Sequence, residues 1–487
     1  MRYNTTMSLA KKILWNTSIQ VAGKILSTII GIWLIILMTR SLGAEGFGAY
    51  TTANTYLQFF ALFLDMGLNV TLVALLGEHA DDEAFQKRCV SALFTLRVIL
   101  AITMLFVIAP LSVLAFPYSW HIKLAVFALA GSFVFPSMNQ VVVGAQQKVL
   151  KLESAAIAEV LGRVISIIGV LAVIHYNLGL IPMMWVITFS SLILFTFNIY
   201  HARKYSNFSW NWDPAFWKMA LKRSWPVGVT ILLGLFYFKA DTFILSLTRS
   251  QAEVGLYGAA YRVFEVLITI PFMYAGIILP ILSNAWMKKQ YDAFSTLISH
   301  SIDGMVFLAI PIVFGSVLLG KEVLIAISGP EFVDAGRALS ILSVAIAVTF
   351  INVVFSHAVI AIDAQRKMIP PYLVVSTIAI IAYTYFIPRY GIWAAAWLTV
   401  VFETLILIAN ITVTHQAHRI IYKPKVTLLA FIACIPMTAI ILFTKSYWVG
   451  VPVLAGATTY LVTALALGAA PKQLIDDLKA KKTILVP

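Results

Sequence analysis

Charge is scarce in this sequence. Asp, Glu, Lys and Arg make up 11% of its 487 residues, against about 25% in a soluble globular chain. No stretch is long and polar enough to form a soluble domain. Cysteine is scarcer still: Cys89 and Cys434 are the only two, each at or in an apolar segment. This argues against a disulfide framework and points to buried thiols. No Gly-rich Walker motif is present, so the chain does not itself hydrolyse ATP. No Gly-x-Ser-x-Gly elbow occurs, and no His, Cys and carboxylate cluster has metal-ligand spacing. The loops between apolar segments are short, which leaves no room for the catalytic segment of a membrane glycosyltransferase, polymerase or ligase. No enzyme activity and no cofactor are expected. The apolar run from Ile13 to Met38 is too long for a signal-peptide core and lacks the small-residue cleavage site that would follow one.

Hydrophobic residues are abundant, at 61%, and the mean hydropathy is +0.91. Apolar stretches of the roughly 20 residues needed to cross a bilayer recur along the whole length. Fourteen are discernible, from 13–38 to 448–468. The fold class expected is therefore all-α integral membrane.

The chain also repeats itself. Thr39-Arg-Ser-Leu-Gly-Ala-Glu-Gly-Phe-Gly-Ala-Tyr50 has a counterpart in Thr248-Arg-Ser-Gln-Ala-Glu-Val-Gly-Leu-Tyr257. Gly179 and Trp185 are matched by Gly391 and Trp397, and Ala145-Gln-Gln-Lys148 by Ala364-Gln-Arg-Lys367. Nearly one offset links all three pairs, so the first span pairs with the seventh. Two halves of six spans each follow. Six is even, so both halves enter from the same side, as a parallel repeat about an axis along the membrane normal. Spans 13 and 14 are an addition outside the duplication.

Orientation follows from the basic residues. With the N-terminus inside, 23 Lys and Arg fall in inside segments and 7 outside, so both termini are expected to be cytoplasmic. The net charge of +14 is then mostly a topology signal and no indication of nucleic acid as a partner. The expected organisation is an N-lobe over 1–200, a cytoplasmic amphipathic linker over 201–224, a C-lobe over 225–413, two further spans over 427–468 and a cytoplasmic tail over 469–487. The linker carries Trp210, Trp212, Phe216 and Trp217 among basic residues. It reads as a segment on anionic headgroups or, on a sharper reading, as a lateral gate.

Ionisable residues inside spans are costly and often functional. Glu159 and Arg163 lie four apart on one helical face and are expected to pair. Arg262 and Glu265, three apart, are candidates for the same. Asp65 and Arg97 sit at similar depth on consecutive spans and fit a cross-helix pair. Asp303 and Asp363 lie close enough to span ends to be wet. Lys24, Lys239, Asp241 and Glu403 are left. Lys239 and Asp241 are about 200° apart around a helix and do not face one another. Lys24, Lys239 and Arg262 form the candidate lining of a hydrated cavity for an anionic group such as phosphate or pyrophosphate. Structural pairing is the competing reading for each. Five deep bases face five deep acids, so a cationic cavity depends on how they pair. Pro226, Pro271, Pro280, Pro311 and Gly315 interrupt spans and serve either as hinges or as inert kinks.

These residues carry a family likeness. Arg40-Ser-Leu-Gly-Ala-Glu-Gly-Phe-Gly-Ala-Tyr50 after the first span resembles the signature of Wzx-type polysaccharide flippases, within the superfamily that also holds lipid II flippases and multidrug and toxin extruders. Leu64-Asp-Met-Gly-Leu68 resembles their span 2 element. Asp241-Thr-Phe-Ile-Leu245 and Val254-Gly-Leu-Tyr-Gly-Ala-Ala-Tyr-Arg262 resemble their seventh and eighth spans. The resemblance implies a MATE-like, V-shaped pair of lobes. It implies alternating-access movement of a polyprenyl-pyrophosphate-linked oligosaccharide from the inner to the outer leaflet of the cell membrane. It places pyrophosphate contacts at Lys24, Lys239 and Arg262, and it makes spans 13 and 14 resemble helices that form a lipid-tail groove. Span 2 departs from the pattern in having no arginine over Val70–Gly77. Span 1 has a single deep base where the lipid II branch carries more arginine. On this reading the partners are the lipid-linked substrate, membrane lipids, H+ or Na+, and other polysaccharide-assembly proteins. Asp65, Asp241 and Glu403 are the ion-coupling candidates. Two alternatives stand beside it: a cation-coupled multidrug extruder, and a non-transporting membrane subunit of a polysaccharide assembly complex.

Overall fold

The computed structural model describes residues 9–79, 81–149 and 151–469. The tail expected over 469–487 thus lies, beyond its first residue, outside the described residues. The described chain is helical, with no strand. Its helices are α1 (Leu9–Asp65), α2 (Leu68–Glu78), α3 (Glu83–Ala101), α4 (Ala109–Ser112), α5 (Trp120–Leu129), α6 (Gly131–Lys148), α7 (Glu153–His175), α8 (Leu180–Ala202), α9 (Pro214–Thr248), α10 (Gln251–Met287), α11 (Tyr291–Ser328), α12 (Val333–Ala361), α13 (Ile369–Ala417), α14 (Lys425–Thr444) and α15 (Gly450–Ala466). Ten helical segments are long and apolar enough to cross a membrane. Two of them each hold two spans, because α1 turns at Gly43 and α13 at Gly391. With α9 and the shorter α15 the total is about 14, the number read from the apolar runs.

The breaks explain why some runs join. Span 2 is interrupted at Met66 (φ 36°) and Gly67 (φ 75°), which end α1 and start α2. Span 3 continues past α3 through a π-helical stretch, Ile102–Ile108, a local widening often associated with function. Pro136, Pro271, Pro280, Pro311, Pro388 and Pro436 all lie inside helices. In an apolar setting neighbouring groups take up the freed carbonyls.

The duplication is visible in backbone geometry. Gly179 takes φ 81° and ψ −160° before α8, and its repeat mate Gly391 takes φ 56° and ψ −136° inside α13. Both values lie where a side chain is strained. One turn conformation thus recurs at an offset of 212 residues, in keeping with the repeat.

Contacts divide the chain into two units, residues 1–235 and 236–487. In the first, α1 packs on α5 and α7, and α8 on α5, α6 and α7. A leucine cluster from α2 (Leu68, Leu72, Leu75, Leu76) meets Cys89, Val90, Leu93 and Leu96 of α3, Val141 of α6 and Phe216 of α9. The start of α9 therefore belongs to this core. Further along, a Cβ at Gly228 would lie 2.8 Å from the Met66 carbonyl oxygen, so a glycine lets α9 reach the span 2 break. The segment before α9 is laid on α3. Ser91 donates to the Asn207 carbonyl at 3.0 Å, the Asn211 amide donates to Thr95 at 2.9 Å, and the Trp217 indole donates to the Ala92 carbonyl at 2.8 Å. Arg88 binds Asp213 at 2.6 Å, and this bond, with one from the Phe216 amide, holds the Asp213 carboxyl below its ordinary range. Trp210 and Trp212 stay exposed.

In the second unit α12 is central, packed by α10, α11 and α13, while α14 and α15 pair and lean on α11. Tyr460 of α15 donates to the Phe307 carbonyl at 2.7 Å, and Lys445 pairs with Glu322 at 3.1 Å. Cys89 and Cys434 are free and buried.

The two repeat glycines are separable by experiment. A Cβ at Gly391 would collide with the Glu253 carboxylate, which is ion-paired to Arg249, whereas a Cβ at Gly179 meets nothing. Gly179→Ala is expected to cost about 1–3 kcal/mol through its backbone angle alone. Gly391→Ala should cost more, read as the larger drop in thermal midpoint in detergent.

Candidate functional site

The intramembrane charges sort into two groups, one in each unit. In the first unit, the early part of α1 and α7 run parallel in one register. Gly23 faces Ala156, with 3.0 Å between its notional Cβ and that methyl. One turn on, Lys24 Nζ pairs with Glu159 Oε1 at 3.2 Å and Ser27 Oγ donates to the same oxygen at 2.9 Å. Two turns on, the Arg163 guanidinium lies over Gly31, whose notional Cβ would be 3.9 Å from it. Small residues on both helices allow this close parallel packing.

The pairing expected within α7 is therefore not the one formed. Glu159 is taken by Lys24 and Ser27 from the neighbouring helix, and Arg163 is left exposed with no ion pair or hydrogen bond among the described residues. Lys24 itself is half exposed but engaged. The Asp65–Arg97 pair is present, at 3.0 Å. Arg97 is 1% exposed. It reaches Ser137 at 3.5 Å, and its Nε has no partner among the described residues. Asp65 sits at the span 2 break, which opens a place for its carboxylate beside α3.

In the second unit one carboxylate gathers two bases. Glu265 of α10 binds Lys239 of α9 at 2.5 Å through one oxygen and Arg262 at 2.7 Å through the other. Lys239 is buried and also lies 4.3 Å from the centre of the Tyr261 ring, a cation–π contact. The structure thus brings Lys239 and Arg262 together, through an acid that sequence spacing matches to Arg262 alone. Lys24 belongs to the other unit.

Asp241 turns the opposite way from Lys239, as the 200° separation requires. It is fully buried. Tyr257 donates to its Oδ2 at 2.5 Å and Thr399 at 3.2 Å, while the Thr242 hydroxyl donates to Oδ1 at 3.1 Å. These donors come from α9, α10 and α13. Glu403, one turn past Thr399, accepts from Thr349 of α12 at 3.1 Å. Asp303 accepts from Tyr422 at 2.9 Å and lies well inside α11 (Tyr291–Ser328) instead of near its end, because that helix starts earlier than the apolar run. Among the described residues no group of His, Cys, Asp and Glu is disposed to hold a metal ion.

The deep charges do not balance within either unit. Lys24, Arg97 and Arg163 against Asp65 and Glu159 leave a formal charge of +1 in the first unit. Lys239 and Arg262 against Asp241, Glu265 and Glu403 leave −1 in the second. The overall balance is zero, but it is polarised.

The second unit also holds an apolar cavity of about 410 Å³ between α10, α11, α14 and α15. Leu267, Pro311, Gly315, Met437, Ile441 and Tyr460 line it.

Residues 9–286 match the family model described as polysaccharide biosynthesis protein. The chain belongs to this family. It is 24% identical to the probable flippase AglR of Haloferax volcanii over 481 residues, covering 95% of this chain and 97% of that one. Its fold is similar to the lipid II flippase MurJ in an inward closed conformation, with TM-score 0.75, 16% identity, and 91% and 97% of the two chains covered. It is also similar to an inward-facing MATE family multidrug resistance transporter, with TM-score 0.65, 15% identity, and 82% and 97% covered. The chain is thus a multi-pass membrane protein of the polysaccharide biosynthesis family, with a fold like that of MurJ and MATE proteins.

Two of its ion pairs should differ sharply in weight. Removing one partner of a buried pair strands the other charge, at about 3–5 kcal/mol. An exposed pair contributes roughly 0–1 kcal/mol. Asp65→Asn is therefore expected to lower the thermal midpoint strongly and Lys24→Gln hardly at all, measured side by side in detergent.

Proposed function

We propose that this protein flips a polyprenyl-pyrophosphate-linked oligosaccharide from the cytoplasmic to the outer leaflet of the cell membrane, by alternating access, for cell-surface polysaccharide biosynthesis. Both termini are cytoplasmic on this reading, as the 23-to-7 distribution of basic residues supports. The observation that carries it is the presence of two complementary chemistries. The first unit has a surplus of deep positive charge, suited to a phosphorylated headgroup. The second has an apolar cavity of about 410 Å³ walled in part by the two added helices, suited to isoprenoid chain. A cationic drug would find the first of these repulsive. Whole-length likeness to AglR, a probable flippase, supports the same assignment.

Coupling is assigned to Asp241. Its carboxylate is fully buried and held by hydroxyls from three helices. Such a group can take up H+, or with its threonine oxygens Na+, without a large rearrangement. Pyrophosphate contact falls to the deep bases, with Lys239 and Arg262 sharing one counter-ion in Glu265.

Leaflet crossing in proteoliposomes tests this. A fluorescent polyprenyl-pyrophosphate oligosaccharide is loaded and the outer leaflet quenched, with and without a gradient of H+ or Na+. Protein-dependent, gradient-sensitive crossing is expected, with Asp241→Asn retaining only the gradient-insensitive part. No crossing of such lipids alongside efflux of a cationic dye would assign the protein to drug extrusion instead.

A further inference from the structure

Arg163 is a deep cation whose counter-ion the fold has taken away. It lies ten residues into α7 and twelve from its end, roughly 15–18 Å from either terminus at 1.5 Å per residue. That is deeper than an arginine side chain snorkels to headgroups with ease. Glu159, one turn earlier on the same helix, is within ordinary i,i+4 reach of it. Yet Glu159 is turned to α1, where Lys24 at 3.2 Å and Ser27 at 2.9 Å both bind its Oε1. Gly31 supplies no side chain beside the guanidinium, so α1 offers it no polar side-chain partner there. An uncompensated guanidinium at this depth is costly. Its five donors in a planar fork match phosphoryl oxygens.

We propose that Arg163 is the phosphoryl-binding residue of the first unit. Lys24 and Ser27 are positioning residues that keep Glu159 from neutralising it. The inference rests on the flippase reading and deepens it: the headgroup contact in this unit is Arg163, with Lys24 acting through Glu159. The ligand class is a lipid-linked phosphate or pyrophosphate. When Lys24 is absent, Glu159 is free to swing to Arg163 and close the site.

This predicts effects of opposite sign. The full chain is reconstituted in nanodiscs, and binding of farnesyl diphosphate, inorganic pyrophosphate and phosphatidylglycerol is titrated. Arg163→Gln should weaken farnesyl diphosphate binding about tenfold or more, the size of a lost charge-assisted contact, with Arg163→Lys partly restoring it. Glu159→Gln should tighten it severalfold. A misfolded variant could not do this. Lys24→Gln should weaken it, and adding Glu159→Gln to that variant should bring affinity back. If the wild type binds and flips normally while Arg163→Gln is unchanged in both, the assignment falls and the flippase reading stands. The assignment falls likewise if only phosphatidylglycerol binding responds, since Arg163 would then contact bulk lipid. If Lys24→Gln weakens binding and Glu159→Gln does not rescue it, Lys24 is itself the contact and the proposal is overturned. If the wild type neither binds farnesyl diphosphate nor moves a polyprenyl-pyrophosphate oligosaccharide, the flippase reading fails and this inference fails with it.

Discussion

An ion in the hydrocarbon layer must be paired, hydrated or used, because leaving it bare costs several kcal/mol. Ten ionisable groups sit deep in these helices, and much of the architecture can be read as the way they are placed. Arg97 is buried and takes Asp65, for which span 2 is broken at Met66 and Gly67. Glu265 serves Lys239 and Arg262 at once. Asp241 is held by hydroxyl hydrogen bonds and makes no ion pair among the described residues. Glu159 takes its partner from the next helix and leaves Arg163 open. Had Glu159 bonded to Arg163 within α7, the first unit's +1 would sit on Lys24; the register of α1 against α7 leaves it on Arg163 instead.

The fold is largely legible in the sequence because its signals are local or periodic. Apolar runs long enough to span a bilayer declare themselves by length. The two turns enclosed within long helices, at Gly43 and Gly391, lie in or beside motifs that the repeat marks. Gly179 and Gly391 match on spacing alone, and they share a backbone conformation that excludes most other residues. What spacing does not convey is how the segment before α9 and the first turn of α9 are used. Their tryptophans suggest a surface element. Trp217 is instead hydrogen-bonded to α3, while Trp210 and Trp212 remain exposed. Three indoles within eight residues look alike in sequence, and only packing against α3 separates them.

The site is legible in composition but not in pairing. Depth along a helix follows from counting residues, so the deep charges can all be named. Partner choice depends on rotation and stagger between helices, which no single-sequence period encodes. Asp65 and Arg97 lie on consecutive spans, where a short connection limits the options, and they pair as expected. Lys24 and Glu159 lie 135 residues apart, and no short connection links their helices. The i,i+4 rule favours Arg163 for Glu159 and is overridden by a helix contact that glycine and alanine make close. Gly23 opposite Ala156 is the available hint, since small residues mark helix seams in membranes.

On the proposed function, the polarity between the units bears on how transport is driven. A phosphorylated lipid and a coupling cation have opposite charge, so one site serving both would bind each less selectively. Here the surplus base lies in the first unit and the surplus acid in the second. The coordinating groups differ in kind as well. Arg163 is an exposed planar donor, able to meet a bulky headgroup that arrives already partly solvated. Asp241 is enclosed and, among the described residues, is hydrogen-bonded by hydroxyl and amide donors. On the proposed reading, cargo and coupling ion therefore need not compete for one residue. The second unit spans both ends of this logic, since α10 carries Glu265 and Arg262 and also Tyr257, the closest donor to Asp241 among the hydroxyls. Tyr257 and Glu265 are eight residues apart on that helix, about two turns, and so share a face. A change at Asp241 that frees Tyr257 would alter the packing of the helix that holds Glu265 and Arg262, while Lys239 lies two residues from Asp241 on α9; on the proposed reading, both helices link the ion site to the phosphate contact.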